Sequence, residues 1–127
     1  MIIGNFIKKI ELKYKNKYFS GLCFDSSKCK KNNIFFAIKG TKIDGNKFIK
    51  HAIQRGANII ISNQKFEGIS KKILFIKSSN VRKLLSEFAF AMYKNKPKNI
   101  IAVTGTNGKS SVADFYFQIL RLNKKKV

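Results

Sequence analysis

Val103–Ser111, VTGTNGKSS, holds the residue types that a phosphate grip requires: two glycines, a lysine and two hydroxyls in the order G-x-x-G-K-S-S. Without a Cβ, Gly105 and Gly108 let the backbone take positive φ and bring its N–H groups close to an anion. A helix opening straight after such a turn adds the unsatisfied donors of its first turn and their partial positive charge. In this pattern Lys109 pairs with the β- and γ-phosphates of a nucleoside triphosphate, and the Ser110 hydroxyl ligates Mg²⁺. The general pattern G-x-x-x-x-G-K-[ST] asks for a glycine five before Gly108, and that position is Val103. The alternative is a glycine turn that merely joins strand to helix, with Lys109 free in solvent. An apolar run before the turn and helical spacing after it favour the phosphate grip.

Other residues offer less. Cys23 and Cys29 lie six apart with no second pair and no histidine nearby. That is neither a zinc spacing nor a disulfide framework, and it reads as two reduced, partly buried thiols. His51 has no carboxylate or cysteine partner in sequence reach and reads as a surface or boundary residue. Asp44 in IDGN fits a turn as well as it fits substrate contact, and Asp25 could equally cap the loop after its strand.

The elements that must position these residues follow from periodicity. Tyr18 to Phe24 predicts a short strand, followed by the polar loop SSKCKKNN. IFFAI, residues 34–38, NIIIS, residues 58–62, and ILFI, residues 73–76, are continuous apolar runs of the kind buried on both faces of a parallel sheet. Between the first two, Phe48, Ile49, Ala52 and Ile53 share a helical face over Lys47 to Arg55, stopped by Gly56, so residues 34–62 read as β–α–β. Val81, Leu84, Leu85, Phe88, Ala89 and Met92 predict an amphipathic helix capped by Ser78, Ser79 or Asn80. The segment YKNKPKN, with the only proline, is the best boundary candidate. Beyond it, Asn99 to Val103 predicts a strand, and Val112, Phe115, Ile119 and Leu122 predict one side of a helix over Val112 to Leu122.

The expected organisation is a small α/β domain over residues 1–94 followed, over 95–127, by one β–loop–α unit opening a larger, truncated doubly wound domain. A lone strand and helix cannot bury their own apolar faces. We therefore expect the chain to be part of a longer protein.

Composition bounds the function less than its +21 net charge suggests. Of 27 basic residues only Arg55, Arg82 and Arg121 are arginine, and arginine is the better fork for phosphates and base edges. Ile, Asn and Phe, which share A/T-rich codons with lysine, are also abundant, so we read the charge as largely compositional. A basic, non-enzymatic nucleic-acid-binding module is the competing reading. Against it, Phe35 and Phe36 are adjacent in a strand and so face opposite ways, unlike a stacking platform. No segment resembles a signal peptide or a membrane span, so the expected location is the cytoplasm.

The loop TGTNGKSS resembles the ATP-binding loop of the Mur ligase superfamily, which includes the folylpolyglutamate synthetases. The run FDSSKCKKNNIFFAIKGTKIDGNKFIKHAIQRGANIII resembles the first domain of the MurE-type UDP-N-acetylmuramoyl-dipeptide ligases: an Asp-Ser-Arg element, a strand, a G-x-x-x-D-G turn and a helix ending in R-G-A. The resemblance implies an ATP- and Mg²⁺-dependent amide ligase of peptidoglycan synthesis. Such an enzyme adds a diamino acid, meso-diaminopimelate or L-lysine, to UDP-MurNAc-L-Ala-D-Glu through an acyl-phosphate. It implies that Phe24, Ser26, Thr41, Lys42 and Ile43 contact the UDP part of the substrate. It implies that Gly105, Thr106, Asn107, Gly108, Lys109, Ser110 and Ser111 bind ATP, with Lys109 catalytic and Ser110 on Mg²⁺. A monomer with no nucleic-acid or membrane partner is expected, and this chain by itself is expected to be inactive. Two departures stand out: Ser27 replaces the arginine of Asp-Ser-Arg, and Ser110-Ser111 replaces the usual Thr-Thr. The dipeptide-adding ligases and the folylpolyglutamate synthetases remain alternatives within the superfamily.

Overall fold

The computed structural model describes residues 1–7, 10–93 and 96–126, which fall into two compact units, Met1–Lys94 and Asn95–Val127. The first unit is built on a five-stranded sheet of β1 (Gly21–Cys23), β2 (Asn33–Phe36), β3 (Ile59–Ser62), β4 (Gly68–Ser70) and β5 (Ile73–Lys77). Its spatial order is β1-β2-β3-β5-β4; β1, β2, β3 and β5 run parallel and β4 pairs antiparallel at the edge. Helix α1 (Ile49–Gln54) makes the crossover between β2 and β3 that a parallel pair needs, and α2 (Val81–Met92) follows β5.

The pleat divides the core. On one face Ile34, Phe36, Ile59, Ile61, Leu74 and Ile76 meet Val81 and Phe88 of α2; on the other Phe35, Ala37 and Ile60 meet Ile49 and Ala52 of α1. Register makes these faces continuous, with Phe36 beside Ile61 and Ile61 beside Ile76. All four residues of β2 and of β3 are buried, which is why residues 34–36 and 59–61 read as continuous apolar runs rather than alternating ones. Phe35 and Phe36 do face opposite layers, as strand geometry requires.

Helix α2 starts where its cap can accept a backbone donor: the Asn80 side chain takes the N–H of Lys83 at 2.9 Å. Phe88 is its main anchor, with ring centroids 4.8 Å from Phe6 and 5.6 Å from Phe36. The N-terminal segment closes this layer. The Met1 amino group donates to the Phe19 carbonyl at 2.8 Å, and Ile3 N–H donates to Lys17 O at 2.9 Å.

Four expectations need correction. The strand predicted from Tyr18 narrows to Gly21–Cys23, since only those residues pair with β2. Helix α1 is shorter than predicted because the stretch Gly45–Phe48 forms a 3-10 turn first. Residues 99–103 form no strand: among the described residues of the second unit there is no neighbouring strand to satisfy a ladder, and Ile100 and Ile101 stay exposed. Helix α3 (Lys109–Leu122) begins three residues before Val112, directly on the glycine loop, and leaves Phe115, Ile119 and Leu122 exposed. The edge strand β4 was not foreseen, because the turn joining it to β5 is Lys71-Lys72. Both residues take positive φ, 46° and 68°, where glycine or asparagine would normally announce a hairpin.

Candidate functional site

The residues expected at a nucleotide-substrate site follow β1 and β2, Phe24 and Ser26 after the one and Thr41, Lys42 and Ile43 after the other, at the end of the sheet where open parallel sheets receive ligands. After β2 the chain makes a tight excursion closed by a bridge between Lys39 and Asp44, with Gly40 N–H donating to Ile43 O and Gly45 N–H donating to Ile38 O, both at 2.9 Å. Gly45 is required there: a Cβ would stand 2.5 Å from the Ile38 carbonyl oxygen. The Asp44 carboxylate accepts from Asn46 N–H at 2.9 Å and from Asn46 Nδ2 at 2.7 Å, and these bonds hold it below the ordinary carboxylate range. Asn46 in turn donates to Asn63 Oδ1 at 2.9 Å, fastening the turn to the end of β3. Asp44 therefore serves the turn through its own neighbour.

Next to this turn lies a groove of about 390 Å³ walled by Phe24, Ile38, Gly40, Ile43, Phe48 and Arg82, among others. Phe24 and Ile43 are 68% and 62% exposed, large apolar side chains held out of the core. The structure thus brings Phe24 and Ile43 together. Thr41 and Lys42 are exposed at the tip of the turn and do not wall the groove.

Ser26 is placed differently. It is 8% exposed, and its hydroxyl is hydrogen-bonded to His51 Nδ1 at 3.0 Å, joining the turn after β1 to α1. Asp25 caps that turn: its carboxylate accepts from Ser27 Oγ at 2.7 Å and Ser27 N–H at 2.9 Å, and these bonds lower its pKa. Ser27, where the resemblance expects arginine, is thus a capping partner. The two cysteines are free thiols buried together in this layer. Burial, then a hydrogen bond with Cys23, pushes the Cys29 thiol up to about 12, so it is a packing residue and a poor nucleophile.

Sequence reasoning passed over Phe48 and Arg82 as site residues. Arg82 carried one usable signal, being one of three arginines in a chain of lysines.

In the second unit, Gly105 to Gly108 lead into α3, and Gly108 takes the left-handed conformation at φ 73° with nothing within 4 Å of where a Cβ would stand. Left-handed backbone with open space outside it suits close approach by an anion. Lys109 Nζ donates to the carbonyl oxygens of Gly105 and Thr106, so the ammonium already sits over the loop. Ser110 and Ser111 occupy the first turn of α3. These residues fit a nucleotide's phosphates and Mg²⁺: N–H donors at a helix start, one cation and two hydroxyls.

A groove at the carboxyl end of a mostly parallel sheet and a glycine loop opening a helix thus occur in that order along the chain. A family profile described as "Mur ligase family, catalytic domain" matches residues 18–95, and the chain belongs to that family. Over 113 residues it is 42% identical to a UDP-N-acetylmuramoyl-L-alanyl-D-glutamate–2,6-diaminopimelate ligase of Rickettsia prowazekii (strain Madrid E), covering 89% of this chain and 23% of that protein. The ligase of the same name from Clostridium tetani (strain Massachusetts / E88) is 48% identical over 93 residues, covering 69% of this chain and 19% of that one. The chain thus spans about a quarter or less of the length of these relatives. A solved structure of a ligase with that name superposes with a TM-score of 0.73 at 23% identity, over 98% of this chain and 26% of the other. A MurF ligase from Thermotoga maritima in complex with ADP superposes with a TM-score of 0.59 at 24% identity, over 79% and 23%. At those identities the superpositions speak for the fold alone. Among the described residues, no helix is long and apolar enough to cross a membrane.

Proposed function

We propose that this chain is the UDP-substrate end, with the opening of the ATP site, of a ligase that adds diaminopimelate to UDP-MurNAc-L-Ala-D-Glu in peptidoglycan synthesis. The observation that carries the reading is the groove at the sheet's carboxyl end, where Phe24 and Ile43 stand exposed around the backbone turn at Gly40. An apolar slot beside a tight backbone turn suits a pyrimidine base and its sugar. In this reading Phe24, Ser26, Thr41, Lys42 and Ile43 form the UDP side of the site, with Ser26 held by His51.

The second unit fits the start of a doubly wound ATP-binding domain. Gly105 to Ser111 would cradle the phosphates, Lys109 would neutralise charge on the transferred phosphoryl group, and Ser110 would hold Mg²⁺. The bound metal would supply Lewis-acid polarisation of the phosphoryl oxygens. The complete reaction moves a phosphoryl group to the substrate's D-glutamate γ-carboxylate; the amine of the diamino acid then attacks that carbon and phosphate leaves.

Calorimetric titration of the 127-residue chain with UDP-MurNAc-L-Ala-D-Glu at near-physiological salt tests the substrate reading, with single-stranded RNA titrated in parallel at low and high salt. Saturable, salt-tolerant binding of the UDP-sugar beside RNA binding that salt erases is expected. RNA binding that survives salt, with no UDP-sugar binding, would overturn it in favour of a nucleic-acid module.

A further inference from the structure

The groove beside the Gly40 turn has a neighbour. A second hollow, about 210 Å³, lies at the carboxyl ends of β2, β3 and β5 and is walled by Lys39, Asn63, Ser79, Asn80 and Arg82, with Ile38 and Val81. The two hollows differ in chemistry. The first is walled mainly by Phe24, Ile38, Ile43, Phe48 and Leu85; the second presents two cations, two amides and a hydroxyl. Only Ile38 and Arg82 belong to both. Arg82 is exposed, and no hydrogen bond or ion pair holds it among the described residues. The carboxylate one turn along, Glu87, faces Lys83 at 3.9 Å. Arg82 also sits in the first turn of α2, which has no acidic residue, so its charge opposes the helix dipole there. An anion in the polar hollow would relieve that conflict and would meet a planar fork able to bind two phosphate oxygens at once.

We propose that Arg82 is the diphosphate-pairing residue of the substrate site, with Lys39 as the second cation, the base lying in the apolar groove and the diphosphate in the polar hollow. This rests on the reading that the first unit takes a UDP-linked substrate. It adds to that reading the residue that tells a nucleoside diphosphate from a nucleoside.

The test follows amide shifts of the whole 127-residue chain on titration with UDP and, separately, with uridine. Wild type is compared with Arg82→Gln, Arg82→Lys and, as a charge control, Lys71→Gln in the turn at the opposite end of β5. Thermal melts confirm that each variant is folded, which the exposed position of Arg82 favours. Arg82→Gln should weaken UDP about tenfold, in line with loss of a charge-assisted bidentate pair, and leave uridine unchanged. Arg82→Lys should recover part of the loss, and Lys71→Gln should bind as wild type. UDP binding by Arg82→Gln at wild-type strength would place the diphosphate elsewhere and overturn the proposal while the substrate reading stood. Equal weakening by Lys71→Gln would reduce the effect to net charge, and equal loss of uridine would make Arg82 a wall of the base groove; either overturns the pairing. If wild type binds neither UDP nor uridine, the substrate reading fails and the proposal with it.

Discussion

His51 Nδ1 and Ser26 Oγ lie 3.0 Å apart, one on α1 and the other in the 3-10 turn after β1, and this bond ties that turn to the helix. Ser26 is buried, so loss of the imidazole strands a hydroxyl. His51→Ala should destabilise the chain by about 1 kcal/mol, read as a lowered urea midpoint at unchanged m-value. His51→Asn, which can still reach a hydroxyl, should recover part of it. An unchanged midpoint for His51→Ala would show that water replaces the imidazole at no cost.

Phe88 is 1% exposed and meets the rings of Phe6, Phe19 and Phe36, so it joins α2 and the N-terminal segment to the sheet. Truncating it leaves a cavity that three aromatic neighbours from different elements cannot close together. Phe88→Ala should cost about 3–5 kcal/mol, measurable by denaturant unfolding. Phe88→Leu should cost much less.

The Cys29 thiol, raised to about 12 by burial and by its bond with Cys23, links stability to alkaline pH. Its unfolded-state pKa is lower, so its contribution is complete below that value. Between there and the folded pKa the unfolded state gives up its proton more readily, and stability falls as pH rises. Native chain should resist iodoacetamide at Cys29 at pH 8 and label only through unfolding, and Cys29→Ala should flatten the decline of stability with alkaline pH. Fast labelling of folded protein would contradict the burial described here.

Lys109 sits over its own loop through the Gly105 and Thr106 carbonyls. Lys109→Ala should therefore abolish any Mg²⁺-nucleotide binding by the chain, followed by the fluorescence of a labelled ATP analogue. The UDP titration should stay as in wild type. Loss of both would mean that the two sites are not separable.

Much of this protein is legible without coordinates. The apolar runs over residues 34–36 of β2 and 59–61 of β3 mark strands buried on both faces, because a strand covered on each side sends successive side chains into apolar layers. The spacing of Val81, Leu84, Leu85 and Phe88 defines α2, and the G-x-x-G-K-S-S order announces the glycine turn that opens α3. What the sequence determined by itself is whatever depends on near neighbours along the chain: period, cap, turn and motif. Tertiary structure decided the rest. The edge strand β4 exists because β5 offers it partners across a turn of two left-handed lysines, while residues 99–103, though apolar, form no strand, since the described residues of the second unit offer them no partner. Arg82 stands beside Ile38 and Lys39, more than forty residues earlier in the chain, only because α2 opens at the carboxyl end of β5, which lies in one parallel sheet with β2 and β3. A hydrogen-bond ladder and a shared wall are both relations between distant segments, and local sequence carries no record of which segments will meet.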